Sequence, residues 1–350
     1  MGILRDQVAY NTPGRLVGVT CGVVMGAGIA VGGMADPTKA TEFFSAPFVG
    51  LFGRVLPGFA AAPLSFDLTM GVVFAAALAT NFVLYRATLA LLAKPTFGEK
   101  FSIPTYTEIT PRLLAGASLF GAGWAMSGFC PAPGVLSIVT GRLEPIVFTA
   151  SMFAGWAAFK QGSRNQLQRT VRSGEMAAAA CGIGGALLAF RLVRGPSAAA
   201  LAHLQWAPLL PALTPVTQQM AGGVAIGMSV AALMATTGKI LGISGILSGI
   251  VDPLCDDRVC RILFLSGLVA GGELVYQAYP LAFANSLSRP LWCFALGGLL
   301  VGLGTNLANG CTSGHGICGN TRLSKRSMAA TATFMAVNGL VGALLLGYVL

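Results

Sequence analysis

The sequence predicts an all-α integral membrane protein: about nine transmembrane helices in two inverted four-helix repeats with re-entrant half-helices. Three observations carry that prediction. The 350 residues are 55% hydrophobic and 10% charged, with a mean hydropathy of +0.74, which is too apolar for a soluble domain of this size. Apolar runs near the roughly 20 residues that cross a bilayer recur along the whole length. A motif marked by glycine and cysteine occurs twice.

Apolar length and flanking charge place nine spans, near 16–33, 66–86, 112–128, 143–159, 175–193, 217–237, 260–279, 291–309 and 327–348. Between them lie four Gly- or Pro-rich stretches near 34–50, 129–141, 238–251 and 310–320. Each is too short to span and too apolar for an ordinary loop, so each reads as a re-entrant segment covered by protein. The opening "MGILRDQVAYNTPGR" is polar and lacks the small-residue cleavage site of a signal peptide. Forty-seven glycines favour close helix contact and broken helices.

The two halves correspond. "GAGWAMSGFCPAPG" (121–134) and "GLGTNLANGCTSG" (302–314) space Gly121, Gly123 and Cys130 like Gly302, Gly304 and Cys311. "TASMFAG" (149–155) answers "TATFMAVNG" (331–339) downstream. The reading divides the chain into a first repeat (1–160), a linker with one span and an interfacial segment (161–216), and a second repeat (217–350). The single span in the linker makes the second repeat enter from the opposite face. Counting 196–216 as a tenth span would make the repeats parallel instead, and charge arbitrates. With nine spans, 16 of the 22 Lys and Arg fall on the N-terminal face, whereas ten spans split them 11 to 11. The positive-inside rule then puts the N-terminus in the cytoplasm and the C-terminus outside a cell (inner or plasma) membrane. Trp206, Pro208 and Pro211 place 196–216 along the outer interface. The net charge of +10 belongs to the cytoplasmic loops, and no nucleic-acid partner is expected.

In this topology the loops carrying Cys130 and Cys311 dip from opposite faces and meet near the midplane, the usual frame of a transport site. A neutral thiol suits an anion's path because it donates a weak hydrogen bond and carries no charge to trap or repel the anion. Gly128, Gly310, Ser313, His315, Met34 and Ser244 sit on the same segments and join the expected pathway. Cys311, His315 and Cys318 form C-x3-H-x2-C, a spacing open to a metal reading. "GFCPAPG" lacks the histidine and the glycines around Cys311 ask for close backbone approach, so no metal or cofactor is expected. Glu273 and Asn306, inside spans, are read as bonding across helices, with Glu273 also open to a proton-relay role. Asp36 is expected to cap a short helix beginning at Pro37. The eight cysteines are expected mainly as free thiols. A membrane redox or persulfide-handling protein using Cys311 with Cys318, or Cys255 with Cys260, is the competing reading.

At these residues the chain resembles the YeeE/YedE sulfur-transport family. "GCTSGHGICGNTRLSKRS" with "ATATFMAVNG" is similar to its C-terminal signature. "GGMADPTKATEFF" with "FGAGWAMSGFCPAPG" is similar to the half that many bacteria encode separately. The resemblance covers about 14–160 and 217–345, and the chain looks like a fusion of two halves. It implies a permease, not an enzyme: thiosulfate uptake through an hourglass lined by cysteines, two of which correspond to Cys130 and Cys311. Beside the bilayer and the sulfur anion, it implies a cytosolic sulfur-carrier or rhodanese-like partner. The family's remaining pore cysteine has no counterpart: Met34 stands near its place, and Ser244 or Ile246 in the second repeat. That departure opens sulfide, persulfide or sulfite as alternative substrates.

Overall fold

The structure, a computed structural model, describes residues 12–55, 66–164, 214–252, 257–283 and 287–348. Apart from an isolated bridge between Ser102 and Lys239, these residues are helix or connection. Six helices come from the first half: α1 (Thr12–Val31), α2 (Pro37–Val55), α3 (Thr69–Leu91), α4 (Pro111–Ser127), α5 (Pro131–Leu136) and α6 (Leu143–Arg164). Six come from the second: α7 (Pro215–Thr237), α8 (Ile243–Ile250), α9 (Arg258–Ala278), α10 (Leu291–Ala308), the wide π-type turn α11 (Thr312–Gly319) and α12 (Lys325–Tyr348).

Among the described residues, seven segments are long and apolar enough to cross a membrane: 14–31, 69–91, 111–140, 215–237, 258–278, 291–308 and 325–346. The 22-residue α6, expected as a span, is as long but falls short of that composition. The expected span at 175–193 lies outside the described residues, and of the expected interfacial segment only 214–216 is described, where it opens α7. Large apolar side chains such as Val83, Leu91, Met228 and Ile262 stand exposed on the helices, as a lipid-facing surface requires.

Local sequence sets the helix ends. Thr110 and Thr214 accept hydrogen bonds from Leu113 N–H (3.2 Å) and Thr217 N–H (3.4 Å), each ahead of a proline in the first turn. Asp36 Oδ1 accepts from Thr38 N–H at 2.9 Å and Thr38 Oγ1–H at 2.6 Å, capping α2. The cap is where the sequence places it, but the helix it starts is not short: α2 runs for 19 residues and carries Pro47 within it.

Glycines fix both the distance and the direction of the helix pairs. A Cβ on Gly22 or Gly26 would strike the backbone of Phe264 and Leu268, and one on Gly267 or Gly271 that of Val19 and Val23. These positions advance together, so α1 and α9 run parallel in backbone contact. Gly223 on Val73 and Gly227 on Ala77 make α7 and α3 parallel in the same way. By contrast α1 and α7 run antiparallel, with Gly28 at Gly222 and Ser229 Oγ donating to Cys21 O at 2.7 Å. So do α4 and α10, with Gly116 at Ala308 and Gly123 at Gly297. Beside that pair α6 packs on α10 as α12 packs on α4. Each of these pairings thus persists when each helix is exchanged for its counterpart in the other half, whereas α2 packs broadly on α12 and its counterpart α8 meets α6 only slightly.

Buried polar contacts pin this frame. Trp156 Nε1–H donates to Thr305 Oγ1 at 2.9 Å between α6 and α10. Arg289, in the connection before α10, donates through Nη1 to Ala125 O and to Met126 O (2.8 Å), serving the unpaired carbonyls at the end of α4. Burial pulls its guanidinium down to about 10, which leaves it charged at neutral pH.

Candidate functional site

Two helix breaks of the same construction build the site. Helix α4 ends on Gly128, whose left-handed backbone (φ 70°) lets the chain leave the helix axis, and Cys130 two residues on is the N-cap of α5. Helix α10 ends on Asn309 in the same conformation (φ 59°), and Cys311 is the N-cap of α11. Asparagine tolerates this conformation better than other side chains, which is why it stands where the first half uses glycine.

The two cysteines face a shared, tight cavity of about 30 Å³, with Met25, Ile29, Met34, Thr312, Ser313 and Ile243 among its walls. Cys130 Sγ lies 2.8 Å from Thr312 Oγ1, and Cys311 Sγ lies 3.3 Å from Ser313 Oγ. Ser313 Oγ in turn accepts from Ile243 N–H at 2.9 Å. Both thiols are nearly inaccessible, at 4% and 1% exposure. The result is a row of neutral groups, each able to donate or accept weakly, inside apolar walls with no charged residue among the described ones. Such a lining neither traps nor repels an anion. The space holds about two waters, so an ion larger than that needs its walls to part.

The sequence-predicted residues divide among several places. Met34 and Ser313 line this cavity with the two cysteines. Gly128 is not among its walls: it is the helix stop, packed on Pro37 and Leu287, and positions Cys130 instead. Gly310, His315, Ser244 and Asn306 line a second, polar cavity of about 200 Å³. His315 Nε2 lies 3.2 Å from Ala308 O and Nδ1 lies 3.1 Å from Ser327 Oγ. A carbonyl only accepts, so Nε2 carries the proton and the ring braces α11 against α10 and α12. Cys318 Sγ donates to Leu241 O at 3.1 Å. The three side chains of C-x3-H-x2-C therefore turn to three different partners. Glu273, buried on α9, accepts from Gln277 Nε2–H at 2.9 Å and lines neither cavity. Cys260 lines a third cavity of about 270 Å³, and Cys255 lies outside the described residues. All six described cysteines are free and buried.

Sequence reasoning missed Thr312 and Ile243. Thr312 follows Cys311 as Pro131 follows Cys130, and its hydroxyl reaches the cysteine of the other half, 182 residues away. No local pattern signals that exchange; the repeat alignment, extended one residue past each cysteine, would have singled Thr312 out as the polar member of the pair.

Fold and site together define a multi-pass helical membrane protein with a small buried cavity between the N-caps of α5 and α11. Residues 15–172 match a family of unknown function (DUF6691). A probable transporter of Xylella fastidiosa (strain 9a5c) is 40% identical over 130 residues, 36% of this chain and 91% of that protein. A probable transporter of the Temecula1 strain is 30% identical over 146 residues, 42% of this chain and 88% of that protein. The chain belongs to the family of these probable transporters.

Proposed function

We propose that the protein is a permease for a small sulfur-containing anion, thiosulfate above all, which passes the constriction by successive weak hydrogen bonds from Cys130, Thr312, Cys311 and Ser313. The observation that carries this reading is the meeting of two half-helix N-caps from opposite halves at one uncharged cavity. Thiols and hydroxyls there match a substrate that has both a soft terminal sulfur and hard oxygens. Thr312 occupies the role that the missing third cysteine leaves open. Transport proceeds without covalent chemistry, a reading supported by the burial of the described thiols, since a redox thiol needs access.

The proposed topology has nine spans, with the 175–193 segment between two inverted repeats (1–160 and 217–350), the N-terminus in the cytoplasm and the C-terminus outside. The antiparallel pairs α1 with α7 and α4 with α10 support it, because an axis exchanging antiparallel partners reverses the helix direction. That each relative is matched over about nine-tenths of its length by two-fifths of this chain supports a fusion of two halves. The cytoplasmic mouth is where a sulfur-carrier or rhodanese-like protein would receive the substrate.

Purified protein in proteoliposomes tests the substrate. Labelled thiosulfate is expected to enter, with excess unlabelled thiosulfate competing and sulfate competing weakly. Uptake blocked by sulfide or sulfite but not by thiosulfate would move the assignment to another reduced sulfur species, and no uptake of any would overturn it.

A further inference from the structure

The polar cavity of about 200 Å³ differs in chemistry from the cysteine cavity. Arg322 and Arg326 line it from the start of α12 and the turn before it, Asn306 and Asn309 from the end of α10, and Ser244 from α8. Among the described residues no Asp or Glu joins them. Backbone carbonyls hold both guanidinium groups in place. Arg322 donates from Nε to Cys318 O (3.2 Å) and from Nη1 to Pro104 O (3.1 Å), and Arg326 donates from Nη2 to Ala308 O (3.3 Å). Arg322 Nη2 and Arg326 Nε and Nη1 are left without a protein acceptor among the described residues. Asn306 Nδ2 is buried and also has no partner, although buried donors are almost always paired. Fixed cations, spare donors and no acid make a cavity short of one thing, an acceptor with negative charge.

The two cavities are neighbours. Ile243 and Ser313 wall the first, while Gly242, Ser244 and Gly314 wall the second, so the Ile243 N–H to Ser313 Oγ bond lies between them. We propose that the polar cavity is a second, thiol-free binding site for a tetrahedral dianionic oxyanion, held by the Arg322 and Arg326 guanidinium groups and the Asn306 amide. The proposal rests on the transport reading only for the role of the site, which is to hold the anion once it has crossed the constriction. Guanidinium and amide N–H groups read oxygen atoms and charge. The site therefore does not distinguish sulfate from thiosulfate, and the cysteine cavity alone selects for reduced sulfur.

Calorimetric titration of the purified full-length protein in detergent with sodium sulfate tests this. Sulfate is expected to bind wild type and Cys311→Ala equally, and Arg322→Gln or Arg326→Gln to weaken it tenfold or more. Asn309→Asp keeps both arginines and their carbonyl bonds, suits the left-handed backbone, and puts a carboxylate on the wall. It is expected to weaken sulfate binding by a similar factor without lowering the melting temperature. No sulfate binding to wild type, unchanged affinity in Asn309→Asp, or loss of binding in Cys311→Ala would each overturn the proposal. Sulfate binding in the expected pattern with no thiosulfate transport would leave this site standing and sink the transport reading instead.

Discussion

The contact between Cys130 and Thr312 yields a prediction whose size follows from its surroundings. The two groups come from opposite halves, sit 2.8 Å apart and are 4% and 6% exposed. Thr312→Val keeps the shape of the side chain and removes only the hydroxyl, while Cys130→Ala removes the sulfur. Hydrogen bonds between helices in membrane proteins contribute about 0.6 kcal/mol on average and at most about 1.7. Leaving the buried partner unsatisfied raises that cost to about 1 kcal/mol or more. Thr312→Val is therefore expected to cost about 1 kcal/mol, and Cys130→Ala about 1–2 kcal/mol because a packed atom is lost as well. In the double variant the losses should fall short of their sum by about 0.5–1 kcal/mol. Reversible unfolding of the purified protein in detergent, read on all four proteins, measures the cycle. Losses that add to within about 0.3 kcal/mol would show that the two groups do not interact, and would remove Thr312 from the path.

Gly26→Val and Gly271→Val are expected to abolish folded protein, since each new side chain meets backbone of the facing helix, whereas Gly245→Ala, with open space at its Cβ, should fold. Size-exclusion profiles of the expressed variants decide, and a monodisperse Gly26→Val would contradict the parallel α1–α9 packing. His315→Ala should cost about 1–3 kcal/mol through two buried contacts yet retain more uptake per folded molecule than Cys311→Ala. Equal loss of uptake in both would make the ring part of the pathway itself. Arg289→Gln should destabilise by about 2–3 kcal/mol, because charged hydrogen bonds to Ala125 O and Met126 O are lost at the end of α4. An unchanged melting temperature would show that those carbonyls find another partner.

Much of the frame was legible because it depends on local signals. Apolar length located the seven segments, and Asp36 ahead of Pro37 marked the start of α2. The repeated Gly-x-Gly and cysteine spacing brought Cys130 and Cys311 to one cavity in the structure. What stayed hidden depends on contacts between halves or on backbone geometry. Gly128 reads like a pathway glycine, but its left-handed turn is a stop for α4. Ser244 and His315 share a motif or segment with residues of the cysteine cavity, yet the winding of α8 and α11 turns them to the neighbouring cavity. The length of α2 is hidden in the sequence because Lys39, Glu42 and Pro47 interrupt its apolar pattern without ending the helix. Arg322 and Arg326 look like ordinary interfacial anchors until their carbonyl partners fix them in the wall of a cavity.

The measurement that bears most directly on the central claim is uptake of radiolabelled thiosulfate by cells lacking other sulfur importers, comparing wild type with Cys130→Ala and Cys311→Ala at matched membrane abundance. The predicted result is uptake by wild type that both substitutions abolish. Wild-type uptake in either variant would contradict a pathway through the two thiols.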